Sequence, residues 1–217
     1  ALLPRAEAVR EAVAGLSRAA TGSDSSAQGP VRIAVAADLV PMLVPALSAL
    51  RQECPGVVPV LHIANRLVDL GRETDIALRM SPTPPQDAIA HRLGETIWCR
   101  YARAELPTAP WVVYEGRNEL GASRHQPRNL VSEPIVGAVD DISAMVRLLR
   151  AFPAQGLLPT HVGDAEGLVR LDSPLRDTLT PAWLLVHVDL RRAARVRAFL
   201  DVVLPALQQA FAAHPTG

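Results

Sequence analysis

The sequence predicts an α/β protein of two Rossmann-like lobes joined by crossing strands, with one further helix ahead of them. Short apolar runs bounded by turn residues alternate with stretches of helical period. The runs form two groups, and a final strand and helix follow the second group in the manner of a chain returning to the first lobe. At 217 residues, 49% of them apolar, the chain is long enough to bury a substantial core.

Leu3, Ala6, Val9, Val13 and Leu16 trace one stripe of a helix over residues 1–20. An isolated helix of that length is marginal in water, so its stripe needs a partner, within the chain or on another copy. The Ser-, Gly- and Asp-rich run 21–29 reads as a flexible linker. Val31–Ala36 is a buried strand, and Leu39–Glu53 a helix whose regular part Pro41 and Pro45 confine to its later turns. Val57–Ile63 is a second strand, Leu67–Glu73 a short helix and Asp75–Met80 a third strand. This alternation implies parallel pairing with right-handed crossovers. Beyond the Pro-rich loop Ser81–Gln86, Ile89–Tyr101 is extended and Trp111–Tyr114 is a strand. Gly116–Asn129 is turn-rich. Ile135–Val139 is a strand and Asp141–Phe152 an amphipathic helix. Gly156–Pro159 and Leu168–Leu171 are short strands around an exposed turn, Trp183–Val188 is an apolar strand, and Arg195–Phe211 closes the chain as a helix.

Charge and cysteine content exclude several classes. The 22 basic and 22 acidic residues cancel, so no global field recruits nucleic acid or an anionic membrane. All 22 basic residues are arginine, which reads first as a genomic codon bias, though it also makes planar, two-pronged anion contacts more available. Cys54 and Cys99 lie in no metal-binding spacing, and a reducing cytosol with two buried thiols is the expected setting. No apolar run is long enough to span a bilayer, and no export signal opens the chain. No Ser sits in a nucleophile elbow, no lysine exists for a phosphate loop, and His161, Asp164 and Glu166 match no zinc spacing. Neither an enzyme nor a cofactor is expected.

In open α/β sheets ligands sit outside the carboxyl ends of strands, beside helix N-termini. That rule selects Ala37 and Asp38, then Asn65 and Arg66, in the first lobe, and Asp141 in the second. Asp38 and Asp141 each read as a helix cap or a ligand contact, and Asn65 likewise. Arg66 either forks onto a ligand carboxylate or is solvated or ion-paired, and Arg79 either ends a strand facing a cleft or pairs with a neighbouring carboxylate. Trp98 either stacks on a ligand or fills a core.

Several motifs, in order, resemble the LysR-type transcriptional regulators. Gly29-x-Val31-Arg32-Ile33 opens the first strand, and Leu43-Val44-Pro45-Ala46-Leu47 leads to Cys54-Pro55-Gly56-Val57. Asn65-Arg66-x-Val68-Asp69-Leu70 precedes Asp75-Ile76-Ala77-Leu78-Arg79, and His91-Arg92-Leu93-Gly94 and Tyr101-Ala102 fit the crossover. Gly156-Leu157-Leu158-Pro159, Trp183–His187 and Arg195–Leu200 complete the likeness. The segment from Tyr101 to Trp111 is shorter than is usual in that family, and Phe152-Pro153-Ala154-Gln155 stands where an Ala-Gly pair is common.

The resemblance implies a type 2 periplasmic-binding-protein-like regulatory domain behind a linker helix over 1–20. Lobe I would comprise 30–97 and 184–217, and lobe II 98–183. It implies a small-molecule effector in an inter-lobe cleft, held by Ala37, Asp38, Asn65, Arg66, Arg79, Trp98 and Asp141. At Asp38 the usual occupant is a small hydroxyl residue. It further implies self-association as a dimer or tetramer, in which the helix Leu39–Glu53 and strand Val57–Ile63 pack through Leu43, Leu47, Leu50, Val58 and Val60. DNA would be reached only through a winged helix-turn-helix outside this chain, and the protein would be cytoplasmic. A periplasmic-type solute-binding protein is the alternative with the same architecture.

Overall fold

The computed structural model describes residues 27–63, 74–105, 108–115 and 133–214. The helix expected over 1–20, the linker up to residue 26, the helix expected over Leu67–Glu73 and the stretch 116–129 lie outside the described residues. The chain divides into two compact units, Ala1–Leu93 with Ala182–Ala210 and Gly94–Pro181 with Phe211–Gly217.

The first unit is organised around β1 (Gly29–Val35), which lies between β2 (Val57–Ile63) and β3 (Ile76–Met80). Both neighbours run parallel to it, with Val31 opposite Pro59 and Val35 opposite both Ile63 and Leu78. Val31, Ile33, Ala34 and Val35 are all buried, the pattern of a strand covered on both faces. β9 (Leu175–His187) completes this part of the sheet antiparallel to β3, with Leu184 opposite Leu78. Asp75 fastens the entry of β3: its carboxylate accepts the Arg32 N–H at 2.9 Å, while its own N–H donates to the Arg32 carbonyl.

α1 (Val40–Glu53) follows a 3-10 turn at Ala37–Leu39. Leu39, Leu43, Ala46 and Leu50 recur at helical spacing and are buried, which sets one face of α1 on its own sheet. The two prolines do not confine the helix as expected. Pro41 sits in the first turn, where no helical N–H donor is required. Pro45 is inside the helix on its exposed side, where water can satisfy the carbonyl that the proline leaves without a donor. α4 (Ala194–Ala212) also packs here through Val196, Phe199, Val203 and Leu207, and Arg195 Nε donates to the Pro30 carbonyl at 2.9 Å.

In the second unit the strand order is β4 (Ala88–Ala102), β7 (Gln155–Pro159), β5 (Trp111–Tyr114) and β6 (Ile135–Val139), with β8 (Val169–Arg170) on β4. α2 (Ile142–Ala151) turns Ile142, Met145, Val146 and Leu149 into a core shared with Trp98, Tyr101, Val112 and Leu158. Strands β4 and β9 run through the boundaries between the units, as crossing strands should.

Two expectations fail in this unit. The stretch after β7 is no exposed turn: it forms α3 (Thr160–Ala165), whose first four residues are buried. Tyr101 explains why, since its hydroxyl donates to Asp164 Oδ1 at 2.7 Å and accepts from Arg170 Nε at 3.0 Å. Arg170 also pairs with the Asp164 carboxylate, so one cluster ties β4, α3 and β8 together. Burial and the bond to Asp164 push the Tyr101 hydroxyl above its ordinary range; burial works against the Asp164 charge, but Arg170 and Tyr101 outweigh it and hold that carboxyl low. The last strand begins at Leu175, eight residues earlier than the apolar run Trp183–Val188 suggests. Thr178 makes this polar stretch a strand: its hydroxyl accepts the Trp98 N–H at 2.9 Å and donates to the Leu175 carbonyl at 2.6 Å.

Gly163 lies against the Tyr101 ring so closely that a Cβ there would overlap it, whereas Gly167 has a φ of +66° and open space around it. Gly163→Ala is therefore expected to lower unfolding free energy by about 2–3 kcal/mol through overpacking. Gly167→Ala should cost about 1 kcal/mol through backbone strain. Urea denaturation of both variants checks the ranking, and equal losses would contradict it.

Candidate functional site

The order β2, β1, β3 creates a switch point. From β1 the chain leaves through α1 to β2 on one side, while β3 lies on the other. At such a point the connections diverge and leave a crevice at the carboxyl ends of the two strands. In this protein those ends are Ala36-Ala37-Asp38 and Arg79-Met80-Ser81, and the Ala36 N–H donates to the Leu78 carbonyl at 3.3 Å where they meet.

Asp38 occupies the 3-10 turn that enters α1 and is 2% exposed. Burial pushes its carboxyl up to about 7, against the smaller opposing effect of its own backbone N–H. Ala37, beside it, is half-buried, as is Arg79 in register with Trp183 on β9. The Trp183 indole N–H donates to the Ser81 carbonyl at 2.9 Å and so fixes the end of β3. The arrangement sets an acid, a guanidinium and short backbone turns at one end of the first unit, a set that can bind and orient a small polar molecule.

Three of the residues expected at a site thus gather here: Ala37, Asp38 and Arg79. Asn65 and Arg66 lie outside the described residues. Asp141 acts as the cap of α2, accepting from Ser143 N at 2.8 Å and Ala144 N at 3.1 Å. Trp98 is 2% exposed in the second core and meets Tyr114 edge-on, with ring centroids 6.0 Å apart. Its ring is packed among core side chains, so of the two alternatives it fills a core and is not placed to stack on a ligand. Ser81 and Trp183 were missed as neighbours of the site; the signal for them was the apolar strand beginning at Trp183.

The expected self-association residues also separate. Leu43 and Leu50 are 1% and 0% exposed and belong to the core beneath α1, so neither is offered to a second copy. Leu47 and Val60 are half-buried and Val58 is 53% exposed. Val44 and Ile63 are 48% and 57% exposed. Among the described residues no group of three or more His, Cys, Asp or Glu is placed to hold a metal. None of the described helices is long and apolar enough to cross a membrane.

The family model of the LysR substrate binding domain matches residues 24–208. The chain belongs to this family, the effector-binding domain of LysR-type transcriptional regulators, with its type 2 periplasmic-binding-protein-like fold. That membership favours the regulator over the solute-binding alternative. Among solved structures, the regulatory domain of CrgA from Neisseria meningitidis is similar, with a TM-score of 0.68 at 19% identity over 83% of this chain and 99% of that one. The effector domain of AmpR from Pseudomonas aeruginosa gives 0.66 at 17% identity, over 86% of this chain and 99% of that one. Full-length AphB of Vibrio cholerae gives 0.64 at 16%, over 92% of this chain and 76% of that one. No curated protein matches the sequence. Regulators of this family bind small-molecule effectors, oligomerise and contact DNA through an N-terminal domain.

Asp38 makes stability depend on pH with a definite sign. Between 3.8 and about 7 the folded chain retains a proton that the unfolded chain has released, so its contribution to stability falls as pH rises through that window. Asp38→Asn should flatten this part of the profile in thermal melts taken from about pH 4 to about pH 8. An unaltered slope in the variant would show that Asp38 does not titrate there.

Proposed function

We propose that this chain is the sensing and self-association part of a cytoplasmic LysR-type regulator, taking its small-molecule effector at the joined ends of β1 and β3. The observation that carries the reading is the switch point itself, with Asp38 and Arg79 beside it in a chain of this family. Its role is binding, with no covalent step. An effector acts by preferring one arrangement of the domain over another, and it shifts the balance only by that difference in affinity. The intact regulator reads DNA through its N-terminal domain, and the domain described here supplies the signal.

Self-association is proposed to use β2 and α1. β2 ends the strand order of its unit, and an edge strand with exposed Val58 and Ile63 invites a covering partner. Pro59 fits an edge strand, since it has no N–H to give a ladder. Val44 and Leu47 add apolar surface on the adjoining helix. Two copies joined there form the dimer from which a tetramer can be assembled.

Sedimentation equilibrium tests this reading. The wild-type chain is expected at twice its 23.3 kDa mass or more, and the Val44→Asp/Val58→Asp variant at the monomer mass with its melting temperature retained. A monomeric wild type would contradict the self-association reading. An unchanged oligomer in the variant would move the interface elsewhere.

A further inference from the structure

We propose that the amino end of β1 is a contact surface for the phosphates of duplex DNA, at the opposite end of that strand from the proposed effector site. The inference rests on the regulator reading above but not on where the effector binds. β3 runs parallel to β1 and β9 antiparallel to β3, so both strand starts lie beside the end of β9. The His187 N–H donates to the Asp75 carbonyl at 3.3 Å, and the Gly29 N–H to the Gly56 carbonyl at 2.9 Å. Arg195 Nε, donating to the Pro30 carbonyl at 2.9 Å, sets the start of α4 against the same strand. The chain ahead of Gly29 joins the unit at this end too.

Arginine collects here. Arg32 on β1, Arg191 and Arg192 in the turn before α4, and Arg197 in its first turn are all exposed. None of the four has an acidic partner among the described residues. The described acids at this end are already engaged or balanced. Asp75 is buried and holds the Arg32 N–H, Asp189 lies 3.7 Å from His187 Nδ1, and Glu53 offsets Arg51 in the last turn of α1. Arg195 and Arg197 also break a local rule. The start of a helix carries positive partial charge, so acids are favoured there and cations are not, yet the first turn of α4 holds no acid. Arg51, at the end of α1, obeys the same rule. Cations gathered at a helix start are stabilised by an anion. Because these arginines spread over a strand, a turn and a helix, the anion they fit is extended and repeats its charge. DNA is the polyanion that regulators of this family contact. The whole chain is neutral, but at physiological salt charges act over about 8 Å, so a local cluster is felt where the total is not. Contacts of this kind are independent of base sequence and add to those of the N-terminal domain.

Fluorescence anisotropy of a labelled random-sequence duplex of about 20 base pairs tests this on the 217-residue chain. At about 50 mM salt the wild type is expected to bind, with log K falling against log salt at a slope of about −3. Arg191→Gln/Arg192→Gln/Arg197→Gln removes three exposed guanidiniums, and should weaken binding at least about tenfold and flatten the slope. Arg147→Gln/Arg150→Gln/Arg176→Gln removes the same charge from exposed positions of the second unit, and should leave binding unchanged. Melts check that both variants fold, and the wild-type salt slope decides the matter even if one does not. No binding by the wild type, or equal losses in the two variants, would overturn the inference. So would displacement of the duplex by inorganic phosphate beyond that by chloride at matched ionic strength, the mark of a small-anion site. None of these outcomes depends on the effector site or on the oligomeric state, so either reading can fail without the other.

Discussion

The parallel pairing of β1 with both β2 and β3 is the constraint on which the first unit depends. A strand ladder on each side and apolar cover on each face leave β1 no freedom, and Val31 to Val35 accordingly carry no charged or large polar side chain apart from the outward Arg32. Because β1 is central, its carboxyl end cannot lie at a sheet edge, and the turn that leaves it is covered by α1 at once. Asp38 is buried for that reason. A residue of the same type at a free strand end would be solvated and would carry no more information than any surface acid.

The other face of the same constraint is exposure at β2. A central strand requires neighbours, and the outer neighbour keeps one unpaired side unless something covers it. In this chain Val58 and Ile63 of that strand and Val44 of the adjoining helix are exposed, while Leu43 and Leu50 are already used beneath the helix. The turn before α1 and this exposed apolar surface therefore belong to one unit. α1, 14 residues long, runs from that turn to that surface.

Much of this organisation was legible in the sequence, and the failures have physical causes. Trp111–Tyr114 and Ile135–Val139 were readable to the residue because short apolar runs between turn formers have few alternatives. Hydrophobicity alone could not separate Leu43 and Leu50 from Leu47, since the three occupy neighbouring positions on one helix and only the sheet beneath decides which are covered. α3 escaped notice because Thr160, His161 and Gly163 are poor helix formers; Tyr101 and Asp164, distant in sequence, hold the turn. The polar beginning of β9 was hidden for a related reason, Thr178 being satisfied by a strand eighty residues away. At the candidate site the loops could be named from topology alone, whereas the burial of Asp38 and the enclosure of Trp98 emerged only from packing.

The account stands or falls on whether a small molecule is held at the joined ends of β1 and β3. The most direct measurement is amide hydrogen exchange on the chain before and after equilibrium dialysis against a bacterial metabolite extract. The account predicts slowed exchange at Ala36–Leu39 and Met80–Ser81 in the dialysed protein. Slowing confined to other elements, such as β6 and α2, with those residues unchanged, would contradict it.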